Sequence, residues 1–195
     1  GVVTQTVANG GDILVRAGRD IKGGMMFLGK GRGVLEAGNS VTLGDARKGA
    51  KTESDAVAPV LGLMDGQWRV QARDDVKIGY IYNPTALNGT SKATKDARVS
   101  SEKSGSFVSY SDQSAVALSS AGSDVTLLSD NWRRSGADGL LDLHSLVANG
   151  DQLKSSSADS PALKLLPATL EASAFGGDVV WEGSPSALIL VPSSQ

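Results

Sequence analysis

The sequence predicts an all-β fold wound as a parallel β-helix, a solenoid with long loops inserted at its corners. Three observations carry that prediction. A strand–turn–strand phrase recurs five times, its strands alternate apolar and polar residues, and its turns draw on Gly, Asp, Asn and Ser. The first two copies lie within Gly10–Gly44: Ile13-Leu14-Val15-Arg16-Ala17-Gly18-Arg19-Asp20-Ile21, then Gly33-Val34-Leu35-Glu36-Ala37-Gly38-Asn39-Ser40-Val41-Thr42-Leu43. A hairpin meander has no need of one phrase repeated. A solenoid does, because every coil presents the same corner to its neighbour.

In chain order, the third copy is Gln67–Ile78, the fourth Ala115–Leu127 and the fifth Ala168–Trp181. In each a β-branched anchor opens the second strand, and the anchors are Ile21, Val41, Val76, Val125 and Val179. Their separations of 20, 35, 49 and 54 residues fit a coil of about 20 residues, three short strands and three bends, lengthened by insertions. The expected inserted loops are 45–59, 80–114 and 131–167. Loops that long rarely lack all structure, so the last two are expected to fold back or pair locally. Inward Ile, Val and Leu are expected to stack into ladders. Gly18, Gly38, Gly122 and Gly177 are expected to take positive φ at the corners, where a Cβ is penalised.

Composition agrees with turn-rich β-structure. Gly accounts for 24 of 195 residues, above the usual roughly 7%, and aromatics for only 5%. The net charge of -2 gives no sign of nucleic acid or an anionic membrane as partner. No apolar run is long enough for a membrane span. With no cysteine there is neither a disulfide framework nor a thiolate metal site. The first residues, GVVTQTVANGG, lack the basic and apolar regions of a signal peptide. Neither end reads as a cap, so the expectation is one β-helical segment over 1–195, a piece of a larger protein.

The phrases GDILVRAGRDIKG, GVLEAGNSVTLG, WRVQARDDVKIG, ALSSAGSDVTLL and LPATLEASAFGGDVVW together resemble the filamentous haemagglutinin-like adhesins of Gram-negative bacteria, exported by two-partner secretion. The likeness spans Gly10 to Trp181 and lies in the ordered set of phrases more than in any one. It implies a right-handed coil, an extracellular or cell-surface location, and a role as stalk or adhesive fibre. It carries over no catalytic residue, and the family's amino-terminal secretion domain is not visible here.

Residues able to carry chemistry read mostly as structure. Asp12, Asp20, Asp74, Asp75, Asp124 and Asp178 recur beside turns, which suits capping better than an acid–base groove, because an active site does not repeat coil after coil. His144 is the only histidine and has no ligand-spaced partner, so no metal or triad is expected. Gly29–Gly33 lacks the Lys-Ser/Thr ending of a phosphate loop. Asn88-Gly89-Thr90 fits a glycosylation acceptor and, better, an Asn-Gly turn. Neither a catalytic residue nor a cofactor is expected. Trp132, Arg133 and Arg134, with Tyr80 and Tyr82, are the candidate contacts for a glycan or host-surface ligand. Trp68 and Trp181 read as packing.

The sequence therefore points to a non-enzymatic scaffold whose loops recognise a surface. Its other expected partners are further coils of the same protein, or identical subunits end to end. Two alternatives are a self-assembling extracellular filament and, from another class, a carbohydrate-active β-helix enzyme.

Overall fold

A computed structural model describes residues 10–44, 58–83, 110–128, 165–182 and 189–190. Thirteen strands and no helix occur among them. In chain order they are β1 (Ile13–Ala17), β2 (Ile21–Lys22), β3 (Met25–Ala37), β4 (Val41–Thr42), β5 (Val60–Ala72), β6 (Val76–Ile78), β7 (Tyr80–Tyr82), β8 (Ala115–Ser120), β9 (Val125–Leu127), β10 (Leu165–Leu166), β11 (Thr169–Ala174), β12 (Val179–Trp181) and β13 (Ile189–Leu190).

Every pairing is parallel. One sheet runs β1-β3-β5-β8-β11 and a second runs β2-β4-β6-β9-β12, so five strand–corner–strand units stack in chain order. The five anchors predicted from sequence are register partners: Ile21 pairs with Val41, Val41 with Val76, Val76 with Val125 and Val125 with Val179. A third column begins in the first halves of β3 and β5, where Met25, Val60 and Tyr80 align and β7 joins. The pair β10–β13 completes a separate two-stranded sheet, with β10 beside β7. Both 13-residue strands thus serve two columns, turning at Gly29–Gly31 and at Met64–Gly66.

Period-2 alternation places the core. On the first sheet Val15, Leu35, Val70, Leu118 and Ala172 share one inward column. Leu35 and Val70 are fully buried, while their outward neighbours Arg69 and Arg16 are exposed. These residues and the anchors Ile21, Val41, Val76 and Val125 join Leu28, Leu61, Leu63 and Ile81 in a single apolar cluster. Burying one such side chain is worth roughly 1.5–3 kcal/mol, and each does so only against the unit above and below. Trp68 is the largest fully buried side chain, and its size is accommodated by the unit before it. A Cβ on Gly33, its register partner, would fall 2.1 Å from the indole.

The corner glycines differ from expectation. Positive φ occurs at Gly23, Gly24 and Gly31, and not at Gly18, Gly38, Gly122 or Gly177. These corner glycines do not use the left-handed region, and stacking distance is what Gly38 and Gly177 satisfy. A Cβ on Gly38 would stand 2.1 Å from the Gly18 carbonyl oxygen, and one on Gly177 would stand 2.2 Å from the Asp124 carboxylate. Around Gly122 the nearest atom is the Arg73 carbonyl oxygen at 3.1 Å, and around Gly18 there is open space. The expected loops also lose their edges. Tyr80–Tyr82 is strand β7, residues 110–114 lead into β8, and Leu165–Leu166 is β10. Apolar residues at those edges pair with or pack on the stack instead of facing water. The remainder of those loops lies outside the described residues.

Leu35→Ala should lower unfolding free energy by about 2–5 kcal/mol, read from the denaturant midpoint. In the same assay Gly38→Ala should cost about 1–3 kcal/mol, and Gly18→Ala should be close to neutral.

Candidate functional site

At the corner backbone bonds continue from unit to unit, the Gly38 N–H donating to the Ala17 carbonyl and the Asn39 N–H to that of Arg19, and side-chain oxygens add to them. Asp20 accepts from the Ser40 backbone N–H at 3.3 Å, and the Ser40 hydroxyl accepts from the Asp75 N–H at 3.3 Å. The Ser123 hydroxyl donates to Asp75 at 2.6 Å, and Asp124 accepts from the Asp178 N–H at 2.8 Å. The Ser120 hydroxyl donates to the Asp74 carbonyl. Each group therefore caps the neighbouring unit, a refinement of the turn-capping expectation. A backbone N–H left unpaired here would lose about 1–3 kcal/mol.

A second relay follows the bend before the first sheet. Asp12 accepts from the Arg32 N–H at 2.8 Å. Asp65 accepts from the Ser111 hydroxyl and lies 3.6 Å from the Lys30 ammonium. Fully buried Ser114 donates to the Ser111 carbonyl at 2.6 Å and accepts from the Ala168 N–H at 3.2 Å. The carboxylates of Asp12, Asp20, Asp75 and Asp124 are thus engaged in joining units. Among the described residues no three His, Asp or Glu side chains are grouped to hold a metal ion.

The outward face of the first sheet carries Arg16, which pairs with Glu36 across β1 and β3, and Arg69, which binds Gln71. At the corner Arg73 reaches Asn39 at 2.8 Å and Asp74 at 3.1 Å. The Arg73 guanidinium, by hydrogen bond and charge, holds the Asp74 carboxyl below the ordinary range. Arg16–Glu36 and Arg73–Asn39 cross between units, and all these contacts are exposed, a type worth little singly.

Of the candidate ligand contacts, Trp132, Arg133 and Arg134 lie outside the described residues, as do His144 and Asn88-Gly89-Thr90. Tyr80 and Tyr82 share β7, with ring centroids 6.4 Å apart. Tyr80 is half-buried, and Tyr82 is only 4% exposed, so its ring belongs to the packed wall. The Tyr82 and Phe27 rings lie on either side of Gly62, where a Cβ would be 3.0 and 3.1 Å from them, and the Tyr82 hydroxyl contacts the Met25 sulfur at 3.6 Å. Tyr82 is thus packed beside Met25 and Gly62, with little of its ring open to solvent. Trp68 packs as expected, its indole N–H donating to the Gly62 carbonyl at 3.1 Å, and Trp181 is half-buried.

Sequence reasoning passed over Tyr110. It is buried in the core, and among the described residues its hydroxyl has no hydrogen-bond partner. Desolvation, reinforced by Tyr80 and Tyr82, pushes its ionisation well above the ordinary tyrosine range. Its Ser-rich neighbourhood has no alternation to mark it as inward.

No family model, curated protein or solved structure matches this chain.

Because the folded pKa of Tyr110 is raised, the stability it contributes is complete below the unfolded value of about 10 and falls as pH rises beyond it. Tyr110→Phe should flatten that alkaline loss in urea titrations at stepped pH. At neutral pH the variant should be as stable as the parent or more so, since it removes an unpartnered buried hydroxyl.

Proposed function

We propose that the chain is a non-enzymatic scaffold, a right-handed parallel β-helical segment of a surface-exposed or secreted bacterial adhesin or fibre. The observation that carries this reading is the in-register stack of five strand–corner–strand units, with a third column beside it. Turning the units into coils requires only that the connections close around the shared apolar cluster. The handedness and the extracellular location come from the resemblance to filamentous haemagglutinin-like adhesins. A stack built of local contacts tolerates insertions at its corners, so recognition of a glycan or host surface is assigned to the inserted loops and to Trp132, Arg133 and Arg134. A filament reading is favoured by one further observation, the apolar exposure of Phe175 and Val179 on the last unit.

The test is binding of the purified chain to glycan arrays and epithelial cells. Trp132→Ala with Arg133→Ala should reduce binding at least tenfold while the far-UV spectrum stays unchanged. Turnover of a polysaccharide into shorter products would replace this reading with an enzymatic one.

A further inference from the structure

The long insertions are confined to one side of the stack. Between the two large sheets the corner is short in all five units: Gly18–Asp20, Gly38–Ser40, Arg73–Asp75, Ala121–Asp124 and Phe175–Asp178. The ends of the third column differ. There the described chain stops at Gly44 and resumes at Ala58, stops at Asn83 and resumes at Tyr110, and stops at Leu128 and resumes at Leu165. These ends gather around β7. At one end of that strand the Gly79 N–H donates to the Pro59 carbonyl at 2.8 Å, and the Leu128 N–H to the Ile78 carbonyl at 2.9 Å. The return of 45–57 and the departure of 129–164 therefore flank one tight turn, Ile78-Gly79-Tyr80, where a Cβ on Gly79 would stand 2.4 Å from that of Ala58. Gly44 sits in the same corner row, against Lys22 and Gly23. At the other end Asn83 follows β7 directly, and Tyr110 packs in one core with Ile81 and Leu166. Strand β10 also lies beside β7. A three-residue strand is about 10 Å long and two strand spacings are about 10 Å, so the bases of all three insertions fall within one small area. Stacked repeats that gather their insertions on one face often bind with that face.

We propose that this side of the stack is a single recognition face, on which the three insertions together hold one extended glycan chain, and that the corner between the two large sheets takes no part. This rests on the scaffold reading above and adds the face and the size of ligand it takes. Trp132 and Arg133 follow Leu128 by four and five residues, so they belong to the insertion that departs beside Gly79. A ligand that reaches from the base of one insertion to another spans about 10 Å, more than a single sugar ring covers. Affinity therefore rises with the length of the glycan. The opposite corner has no insertion to contribute, and its polar side chains are engaged between units, Asp20 with Ser40, Asp75 with Ser123 and Asp124 with Asp178.

The chain has no cysteine, so a single introduced cysteine can carry a polyethylene glycol chain at a chosen point of the full protein. Attached through Arg19→Cys or Ala121→Cys, both exposed on the corner between the sheets, the polymer should leave binding to a glycan array unchanged. Attached through Gly44→Cys or Asp112→Cys, beside the bases of two different insertions, it should abolish binding. The unmodified protein should hold a long oligosaccharide about tenfold more tightly than the corresponding monosaccharide. Two positions on each side keep the comparison intact if one variant fails to fold. Binding lost alike from both sides overturns the single face. So does binding retained with polymer at Gly44→Cys or Asp112→Cys, or equal affinity for short and long glycans. These outcomes leave recognition by the protein standing. A parent that binds no glycan at all removes the recognition reading, and this inference with it.

Discussion

In-register parallel stacking is the constraint on which this molecule depends. Two parallel strands pair evenly only if each unit returns to the same place with the same side chains facing in. The column Ile21, Val41, Val76, Val125 and Val179 records that requirement. Because each unit touches only its neighbours, stability is close to a sum of local terms, and the apolar cluster extends along the stack. The same locality explains how anchors 54 residues apart in sequence remain adjacent in space.

Corners and bends interrupt the strands, yet backbone bonds still cross from unit to unit there. Side-chain oxygens from Asp20, Ser40, Asp75, Asp124 and Ser114 continue the bonding from one unit to the next. Their recurrence has a structural cause, and a short oxygen-bearing side chain at each corner is sufficient to meet it. Glycine enters where a carbonyl or carboxylate of the preceding unit comes too close for a Cβ. Arg73 occupies the matching place in the third unit, so the need is set by each pair of corners and not by the motif as a whole.

This architecture separates the rigid from the variable. The described stack offers ion pairs, caps and packed rings; Trp68, Tyr82 and Tyr110 lie in its walls and core, while Phe27 and Phe175 are exposed. Variation is cheapest at the insertions, which is why the proposed recognition is assigned to them.

The alternating strands, the five repeated phrases and their anchors were legible in the sequence, because period-2 burial and a shared corner leave a local imprint on residue choice. The packing of Trp68 was legible for the same reason. The reach of each loop was not, since Tyr80–Tyr82, Tyr110 and Leu165–Leu166 join the stack through partners far along the chain. Nor was the role of the corner glycines, because the atoms that exclude a Cβ at Gly38 and Gly177 belong to another unit. Local pattern determined which segments are strands and which residues face inward. Only the tertiary structure decided which side chains meet between units, because those contacts depend on the register of the stack.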